Sequence, residues 1–471
     1  MAQKQNTQPP KGTRDFLPRD VRRREHVLKT VRAVYSRYGF EPLETPAMER
    51  LDTLLGKYGE EGDQLIFRIL ERGAELGRAV DKIIGESKTA AEPRALHKFA
   101  ERELAEMALR YDLTVPLARV VAEHQAELPK FFKRYQIQPV WRADRPAKGR
   151  FREFYQCDVD IVGSESVLCE VEVCSAIAEV MDGLGFDDYK IRLNHRGVLR
   201  GMIEASGIGL EHEVDAITAL DKLDKIGVDG VAKEMAERGI AADAATALIA
   251  RAQLATQHTG GSLLEELGRA LEKSEAGSRG VKQLQELVSF AAHTPAGRRL
   301  AVDPSLARGL SYYTGPIFEV AVKDLAGSLG GGGRYDKLVG MFLNRDLPAV
   351  GFSLGLERIL VVMEERNMFP ALDAPAEVMV FRIEDATTAE TLQTLHAIRA
   401  AGISAELYPN VDKLGKQFQY ATTRGARVAA FVGGQEKDAG TVALKQLQTQ
   451  QQTSAPRAEL VAKLRELLAS R

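Results

Sequence analysis

The residues best suited to chemistry lie in one basic segment, Lys133 to Gly163, with the sequence KRYQIQPVWRADRPAKGRFREFYQCDVDIVG. Seven Lys or Arg residues and one acidic residue, Asp144, lie between Lys133 and Arg152, although the whole chain has a formal net charge of only −2. The basic character is therefore local to this segment.

The same segment has the alternation of two β-strands joined by a turn. Tyr135, Ile137 and Trp141 share one face of the first strand, and the Pro and Gly of RADRPAKG fit a turn before the second strand. If the strands pair, four polar side chains point into one space: Arg142, Arg150, Gln156 and Asp160.

The alternative is an exposed hairpin whose charges are solvated, as charge runs usually are. Asp158 and Asp160 count against it, because they stand among Val, Ile and Cys. A carboxylate at a half-buried strand position needs a partner. These two residues therefore favour a buried polar site without excluding the solvated hairpin.

A second candidate pair, Asp112 and Thr114, stands where LRYDLTVPLARVVAEH changes from a strand pattern to a helix pattern. Both residues could bind a ligand or could simply cap the helix. Pro116, just inside the predicted helix, fits the capping interpretation.

Two further arginines are candidates. Arg308 precedes a Gly in RGLSYYTG, close to Tyr312 and Tyr313, and it could equally form an ordinary salt bridge. Arg358 lies in PAVGFSLGLERILVVM, where an apolar strand turns into a helix. A guanidinium in such apolar surroundings needs an anion.

Four consecutive glycines at positions 330 to 333 would let the backbone approach a flat ligand closely, or they could form a flexible hairpin loop. His195 stands alone in YKIRLNHRGVL, with no second ligand or base beside it. We interpret it as a hydrogen-bonded structural residue.

The elements that must position these residues divide the chain into domains. Residues 1–10 form a polar tail that we expect to be disordered. Residues 11–204 and 299–372 carry the strand and helix patterns described above and are predicted to form two parts of one domain. Residues 205–298, rich in Ala, Leu, Glu and Lys, predict a helical insertion, and residues 376–471 alternate as β-α-β-α-β-β, which indicates a small α/β domain.

Composition limits the class of protein. A chain of 471 residues is too long for one core, and 44% hydrophobic and 28% charged residues are ordinary for a globular protein. Cys157, Cys169 and Cys174 form no CxxC pair, which predicts a reduced, cytoplasmic protein without structural metal. The polar N-terminus has no apolar signal region, and no stretch approaches the ~20 apolar residues of a membrane span.

Taken together, these segments resemble the histidyl-tRNA synthetase family along nearly the whole chain. KGTRDFLP is similar to the opening signature of that family, residues 35–49 to motif 1 of the class II synthetases, RADRPAKGRFREFYQCDVD to motif 2 and AVGFSLGLERIL to motif 3. RYDLTVP and RGLSYYTG resemble segments specific for the histidine enzyme.

The resemblance implies an α+β fold, in which an antiparallel sheet flanked by helices carries a helical insertion and is followed by a C-terminal α/β anticodon-binding domain. It implies a homodimer formed through motif 1. It also implies a cytoplasmic ligase that joins L-histidine to its cognate tRNA through a histidyl-adenylate, consumes ATP with Mg²⁺, and releases AMP and diphosphate.

By position, the resemblance assigns Asp112 and Thr114 to the α-amino group of histidine, Gln156 to its orientation, and Asp160 with Tyr313 to the imidazole. The whole histidine-binding set that it implies is Asp112, Thr114, Arg142, Gln156, Asp160, Arg308, Tyr312 and Tyr313.

Five arginines receive roles in the same way. Arg142 would bridge the histidine carboxylate and the ATP α-phosphate, and Arg308 would approach that phosphate from the amino-acid side. Arg150 and Arg358 would hold the bent triphosphate. Arg145, in the hairpin loop, would lie near the acceptor end of the tRNA.

Elementary chemistry supports these implied roles. Attack of a carboxylate on a phosphate brings two anions together, so fixed cations must offset the repulsion. Guanidinium suits this task because its planar fork matches both anions and stays protonated. No general base is needed for this step, since the carboxylate is already ionised. A hydrogen-bonded imidazole site rejects analogues by roughly 10⁴ to 10⁵, so no editing domain is expected.

The sequence departs from the family pattern at Ser311, where Asp is common, and the segment from Arg72 to Glu103 is longer than expected. One alternative is the regulatory paralogue that partners an ATP phosphoribosyltransferase and typically lacks the catalytic Arg and the C-terminal domain. Another is a class II synthetase for threonine or proline, although the zinc ligands that threonine needs are missing.

Overall fold

The structure is a computed structural model that describes residues 6–87, 99–307, 312–323, 325, 327–343, 345–370 and 376–469. Over these residues the chain forms two compact units, Met1–Phe16 with Arg24–Met368 and Leu17–Arg23 with Phe369–Arg471. None of the helices in the described ranges is both long and apolar enough to span a membrane.

Up to residue 368 the described strands are β1 (Glu41–Pro42), β2 (Met48–Arg50), β3 (Arg68–Ile69), β4 (Met107–Leu109), β5 (Phe132–Trp141), β6 (Glu153–Val162), β7 (Lys190–His195), β8 (Leu300–Val302), β9 (Pro316–Ala321), β10 (Gly330–Arg334) and β11 (Ala349–Gly355). The described helices are α1 (Pro18–Arg37), α2 (Leu51–Leu54), α3 (Gly59–Gln64), α4 (Gly73–Ser87), α5 (Thr114–Glu123), α6 (Leu168–Gly183), α7 (Arg196–Ala205), α8 (Glu213–Leu220), α9 (Leu223–Glu237), α10 (Ala242–Ala252), α11 (Gly260–Ala270), α12 (Glu275–Ala291) and α13 (Leu356–Glu365).

The main sheet has the strand order β1-β5-β6-β11-β10-β9-β7-β8 among the described residues. Its central pairs from β5 to β7 are antiparallel, and the outer pairs β1 with β5 and β7 with β8 are parallel. This is the mainly antiparallel sheet that the resemblance implies.

The basic hairpin forms as predicted, with β5 and β6 paired from Phe132 opposite Val162 to Trp141 opposite Glu153. The polar face of β5 is nevertheless the more buried one. Arg134 and Gln136 are fully buried, whereas Tyr135 and Ile137 are only half-buried. The polar face can be buried because carboxylates on β6 face it and supply the partners that buried charges need.

Helices cover the sheet through apolar stripes. The buried residues of α1 recur at helical spacing and include Val27, Val31, Val34 and Tyr35. The Tyr35 hydroxyl donates to the backbone oxygen of Cys157 on β6 (3.2 Å), so α1 is fixed over the hairpin. The chain then leaves the helix at Gly39, whose φ of +75° suits a glycine at that position.

A second, small sheet has the order β2-β4-β3. It leads through β4 into α5, which gives the strand-to-helix passage that the sequence predicts around Asp112. Part of the long segment from Arg72 to Glu103 is helix α4, and residues 88–98 of it lie outside the described residues.

Helices α7 to α12 lie between β7 and β8, and α8 to α12 fall in the region predicted to be a helical insertion, residues 205–298. α12 packs closely against α7, because a Cβ at Gly201 would lie 2.6 Å from the Cα of Gly277. These two glycines therefore let the insertion approach the end of β7.

The second unit contains the strands β12 (Val378–Phe381), β13 (Ala405–Leu407), β14 (Val428–Phe431), β15 (Thr441–Gln446) and β16 (Gln452–Pro456) and the helices α14 (Thr388–Ala400), α15 (Leu414–Thr423), α16 (Gly434–Ala439) and α17 (Leu460–Ala469). Its sheet, ordered β13-β12-β14-β15-β16, is parallel at β13, β12 and β14 and antiparallel beyond. This is the mixed α/β sheet that the pattern predicts.

Candidate active site

A cavity of about 400 Å³ lies on the polar face of the main sheet. Its wall includes eight residues that the sequence analysis assigned to the site: Asp112, Thr114, Arg142, Arg150, Gln156, Tyr312, Tyr313 and Arg358. It also includes residues that the sequence analysis did not assign, among them Tyr111, Phe151, Phe154, Phe318, Glu319, Ser353 and Glu357.

Asp112 is a buried carboxylate in the cavity wall. It accepts hydrogen bonds from the Tyr58 hydroxyl (2.9 Å), the Val115 N–H (3.1 Å) and the Tyr312 hydroxyl (3.4 Å). The bond to Val115 gives Asp112 the helix-capping contact of the alternative interpretation as well, so the two roles coexist. Burial raises the pKa of Asp112. Because all three donors are neutral, the carboxylate can still bind a cationic group.

Arg142 enters the cavity from the end of β5. Its Nε donates to the backbone oxygen of Tyr111 (3.0 Å), and its guanidinium carbon lies 4.2 Å from the Tyr111 ring centroid and 5.2 Å from that of Phe154. One hydrogen bond and two rings thus fix the guanidinium plane, and Arg142 borders the cavity.

Asp160 lies beneath the cavity and is absent from its wall. Its Oδ2 is 2.9 Å from Nη2 of the fully buried Arg134, and its Oδ1 accepts a hydrogen bond from the Tyr335 hydroxyl. The expectation that Asp160 shares a face with Gln156 agrees with the register, but Asp160 lies deeper, because Arg134 directly opposite it on β5 holds the carboxylate.

Tyr313 packs edge-on against Tyr312 in the cavity wall. Its ring is 5.1 Å from that of Tyr312, and both rings border the cavity. Burial raises the pKa of Tyr313, and the negative charges of Asp112, Asp158 and Asp160 raise it further. Its hydroxyl is therefore kept protonated in the field of the buried carboxylates and can donate a hydrogen bond.

Gln156 and Asp158 complete the polar face of β6. The Gln156 amide donates to the Ser353 hydroxyl on β11 (2.7 Å), and both residues border the cavity. Asp158 is buried, 3.9 Å from Arg134 at their nearest charged atoms. Burial raises the pKa of both Asp158 and Asp160, and Arg134 offsets part of that effect.

The glycine run is strand β10 and not a flexible loop. Gly331 stands between Glu319 on β9 and Ser353 on β11. A Cβ at Gly332 would lie 2.1 Å from the backbone oxygen of Gly351, so this position requires glycine. The alternative of a flexible hairpin loop is therefore wrong. Gly330 to Gly332 border the cavity, and their close approach to a flat ligand stays a prediction.

Arg150 and Arg358 approach the cavity from the hairpin turn and from the start of α13. A side-chain N–H of Arg358 donates to the backbone oxygen of Ser328. Arg145 lies in the exposed turn of the hairpin, outside the cavity wall. Three predicted arginines, Arg142, Arg150 and Arg358, are thus brought to one cavity from separate elements.

Arg308 and Ser311 lie outside the described residues. The role implied for Arg308 therefore stays a prediction. The preceding residues are well anchored, since the side-chain amide of Asn194 donates to the backbone oxygens of Pro304 (3.1 Å) and Leu306 (2.9 Å).

Sequence reasoning missed the partners of the buried carboxylates. Arg134 lies on the same strand face as Gln136, and this two-residue alternation could have identified Arg134 as a member of the polar face. Tyr335 gave no local signal, because it stands 175 residues from Asp160. Tyr58 likewise reaches Asp112 from a segment with no strong pattern.

His195 is a structural residue, as its isolation in the sequence suggests. Its Nδ1 accepts from the Gly197 N–H (2.8 Å) and so caps α7, and its Nε2 lies 2.6 Å from Oε1 of Gln283 on α12. A donor at Nδ1 and an acceptor at Nε2 require the neutral tautomer with the proton on Nε2. Burial lowers the pKa of His195 to about 4.

This lowered pKa predicts a loss of stability in acid. An unfolded His takes up a proton near pH 6.5 while the folded one stays neutral down to about pH 4, so stability falls as the pH drops through that window. From pH 7 to pH 5 the loss due to His195 should be about 2 kcal/mol. His195→Asn, which keeps a capping side chain, should remove this component in urea unfolding at the two pH values.

The exposed His293 provides the matched control. His293→Asn should leave the pH dependence of the unfolding free energy as in the unmodified chain. Equal acid sensitivity of the His195 variant and the unmodified chain would contradict the buried neutral tautomer.

A mainly antiparallel sheet that gathers arginines and a buried carboxylate around one cavity matches the architecture of the class II aminoacyl-tRNA synthetases. Comparison with known proteins identifies the family within this class. The histidyl-tRNA synthetase family model matches residues 12–82 and 79–359, and the anticodon binding domain model matches residues 377–467.

Related sequences align with this chain along nearly its whole length. Histidine-tRNA ligase of Flavobacterium johnsoniae is 44% identical, covering 94% of this chain and 96% of its own length, and that of Gloeobacter violaceus is 40% identical, covering 94% and 95%. The crystal structure of histidyl-tRNA synthetase from Nostoc sp. PCC 7120 aligns with a TM-score of 0.80 at 30% identity, over 98% of this chain and 100% of that one. The chain therefore belongs to the histidyl-tRNA synthetase family.

Proposed function

We propose that this chain ligates L-histidine to its cognate tRNA through a histidyl-adenylate, with release of AMP and diphosphate. One observation carries the proposal: a buried carboxylate whose hydrogen-bond donors are all neutral, Asp112, shares one cavity with the three arginines Arg142, Arg150 and Arg358. Such a cavity suits a substrate that is cationic at one end and meets a polyanion at the other.

In the first step a carboxylate oxygen of histidine attacks the α-phosphorus of ATP, and the bond to the diphosphate oxygen breaks. Arg142 is placed to contact both the carboxylate and the α-phosphate, since its plane is fixed by Tyr111 and Phe154. Its preorganised charge offsets the repulsion between the anions and stabilises the charge on the equatorial oxygens. Arg150 and Arg358 hold the remaining phosphates, and Arg308 is assigned the α-phosphate from the amino-acid side.

Histidine binds with its α-amino group at Asp112 and Thr114, and Tyr312 holds Asp112 in place. Gln156 orients the substrate from the β6 side. We assign the imidazole to Tyr313 and Asp160, with Tyr335 and Arg134 fixing the carboxylate from behind. A site of such hydrogen bonds rejects amino acids that lack a ring nitrogen.

In the second step a ribose hydroxyl of the tRNA attacks the carbonyl carbon of the adenylate and AMP leaves. We assign the proton of that hydroxyl to a phosphate oxygen of the adenylate. The domain at residues 377–467 binds the anticodon, and the exposed Arg145 in the hairpin turn lies near the acceptor end.

Mg²⁺ would accompany ATP through the phosphates. The described residues contain no group of three or more His, Cys, Asp or Glu that could hold a metal by themselves, and Mg²⁺ commonly needs only one or two carboxylates besides phosphate oxygens. Two glutamates border the cavity: Glu357, which accepts from Arg24 (3.0 Å) and the Tyr155 N–H (2.8 Å), and Glu319, which is 3.4 Å from Arg192. We assign this contact to Glu319, because its distance to its arginine is the longer one. Bound there, the ion would neutralise phosphate charge.

The regulatory paralogue of an ATP phosphoribosyltransferase is the less favoured alternative. A Bacillus halodurans protein described as an ATP phosphoribosyltransferase regulatory subunit/histidyl-tRNA synthetase shares the fold, with a TM-score of 0.70 at 19% identity over 90% of this chain and 97% of that one. In this chain Arg142, Arg150 and Arg358 all border the cavity, and the anticodon binding domain model matches residues 377–467.

Histidine-dependent exchange of pyrophosphate into ATP tests the proposal. The purified chain should catalyse this exchange with histidine and not with threonine, proline or the other amino acids. Correctly folded protein that shows no exchange with histidine would refute adenylate formation and would favour the regulatory role.

We also propose a homodimer through the motif 1 region. The small sheet exposes Met48 and Met107 on the same face, and the register places Leu109 opposite Met48. Met107→Glu should shift the chain from dimer to monomer in sedimentation velocity, because it places a charge in an apolar contact. Leu210→Glu, at an exposed position of the insertion, should leave the dimer intact. A monomeric unmodified chain would contradict the assignment.

A further inference from the structure

Asp158 has no role in the reaction described above, although it is a buried carboxylate on the polar face of β6. It stands between Gln156 and Asp160 in the two-residue alternation of that strand. The residue opposite it on β11 is Ser353, and both Gln156 and Ser353 border the cavity. Asp158 therefore lies behind the same part of the cavity wall as Asp160.

One guanidinium group serves two carboxylates at this place. Nη2 of Arg134 is 2.9 Å from Oδ2 of Asp160 and 3.9 Å from Oδ2 of Asp158. Asp160 has a second partner in the Tyr335 hydroxyl, which donates to its Oδ1. Both carboxylates and Arg134 are almost inaccessible to solvent. When both carboxylates are ionised, they carry one negative charge more than Arg134 balances, and Asp158 is the one with the weaker contact.

Asp158 is also poorly supplied with hydrogen-bond donors. Gln136 faces it from β5, but the Gln136 amide donates to Thr45 (2.9 Å) and to Gln138 (2.6 Å). The Ser353 hydroxyl on β11 favours the ionised form of Asp158 and lowers its pKa. Even so, Oδ1 of Asp158 is buried and accepts no hydrogen bond within the described ranges. Buried acceptors usually have a partner, so a ligand that brings an N–H donor would complete this one.

The titratable groups that face Asp158 and Asp160 come from several elements. They are Arg134 on β5, Asp112 before α5, Tyr313 before β9, Tyr335 after β10 and Tyr35 on α1. Arg142 lies near Asp112, and Arg196 lies near Tyr313 with Glu213 and Asp221 beside it. Burial raises the pKa of Asp158 to about 7, Arg134 lowers it, and the charge of Asp160 raises it further. Negative charge therefore exceeds positive charge around the place assigned to the imidazole.

We propose that Asp158 is a specificity-determining residue, which together with Asp160 makes the site bind histidine with a protonated imidazole ring. The inference rests on the proposed function, because it takes the imidazole to lie at Tyr313 and Asp160. An imidazolium brings one positive charge and two N–H donors, so it balances the unpaired carboxylate and satisfies its free oxygen. A neutral imidazole brings no charge and one donor, and its bare nitrogen needs a donor as well.

The proton that the bound ring needs can be counted. Calorimetric titration with histidine, in buffers that differ in ionisation enthalpy, gives the number of protons taken up on binding. At pH 8 free imidazole is neutral and Asp158 is ionised, so binding should take up about 0.9 proton, and the uptake should reach zero at about pH 6.7. For the same reason, KM for histidine in pyrophosphate exchange should rise about fourfold from pH 7 to pH 8.

Asp158→Asn should remove this dependence on pH. It takes away the surplus charge and keeps the contact of Arg134 with Asp160, so the proton uptake at pH 8 should fall to about zero and KM for histidine should change less than about 1.5-fold from pH 7 to pH 8. Asp182→Asn is the matched control. Asp182 is an aspartate of α6 that lies 2.7 Å from Arg299 and outside the cavity wall, so this variant should take up as many protons as the unmodified chain.

Histidine labelled with ¹⁵N in the ring locates the proton. In the complex at pH 8 both ring nitrogens should have the chemical shifts of protonated nitrogen. One bare nitrogen in the bound ring, or no proton uptake by the unmodified chain at pH 8, would overturn the proposal, and neither measurement requires a variant. Equal uptake by Asp158→Asn and the unmodified chain would also overturn it. A lower melting temperature of Asp158→Asn beside that equal uptake would assign Asp158 to folding alone.

Failure of the proposed function gives a different result, because the histidine titration needs neither ATP nor tRNA. If the chain shows no histidine-dependent exchange but binds histidine with proton uptake at pH 8, the proposed reaction is refuted and the role of Asp158 is supported. If exchange is normal and no proton is taken up, the role of Asp158 is refuted and the reaction stands.

Discussion

Replacing Arg142 with alanine should lower the rate of histidyl-adenylate formation by about 10²- to 10³-fold, the usual cost of removing one preorganised donor to transition-state charge. Arg142 is held by the Tyr111 backbone oxygen (3.0 Å) and lies over the Tyr111 and Phe154 rings. In the proposed reaction Arg142 would therefore meet the developing charge without reorganising. Single-turnover measurement at saturating histidine and ATP isolates this step from binding.

Arg142→Lys provides the test of geometry. Lysine keeps the charge, but it cannot form the planar fork that contacts a carboxylate and a phosphate together, so most of the loss should remain. An Arg142→Lys variant with nearly normal rate would show that charge alone is sufficient. A nearly normal rate for Arg142→Ala would remove Arg142 from the chemical step.

Replacing Asp112 with asparagine should raise KM for histidine by about 10²- to 10³-fold, because loss of one partner of a buried charge pair costs roughly 2–5 kcal/mol. The Asp112 carboxylate is buried, and its protein donors, Tyr58, Val115 and Tyr312, are all neutral. The α-amino group of histidine would be the cation that completes the site. Steady-state exchange with varied histidine measures the effect.

The ATP side of the cavity supplies the internal control for this variant. Asp112→Asn should leave KM for ATP within about twofold, since the proposed function assigns ATP to Arg150 and Arg358 and not to Asp112. Tyr58→Phe removes one neutral donor and should cost far less than the loss of the charge. An unchanged KM for histidine in Asp112→Asn would show that the α-amino group binds elsewhere.

The buried pair beneath the cavity has a separate consequence. Asp160 and Arg134 are both almost inaccessible to solvent and lie 2.9 Å apart. Removal of either group would leave an unpaired buried charge, which is far more destabilising than loss of an exposed ion pair. Any effect of an Asp160 substitution on histidine recognition must therefore be compared with the folding stability of the same variant.

The sequence predicted the β5–β6 hairpin and eight of the residues that border the cavity. The alternation of residues 133 to 163 specified which side chains share a face, and the structure brings Arg142, Arg150 and Gln156 to the same cavity. The alternation did not reveal which face is buried. The polar face is the more buried one, because Arg134 and the carboxylates of β6 satisfy each other there.

The tertiary structure was needed to determine how deeply each side chain of the site is buried and which residues contact it. Asp160 was expected in the wall beside Gln156, but it lies behind the wall, held by Arg134 and Tyr335. The sequence left two roles possible for Asp112, helix capping and ligand binding. In the structure Asp112 makes the capping contact and also borders the cavity. Arg308 remains a prediction from the resemblance, since it lies outside the described residues.

By itself the sequence determined what could be read from neighbouring residues: the strand and helix periods, the helical insertion, the α/β domain and the segments that resemble the synthetase motifs. These features depend on local spacing, which the sequence states directly. Only the tertiary structure decided which distant groups meet, as Phe151 meets Arg14 and Asp160 meets Tyr335. The physical reason is that such contacts form where segments far apart in the chain pack together. A local sequence pattern does not specify which distant segments will meet.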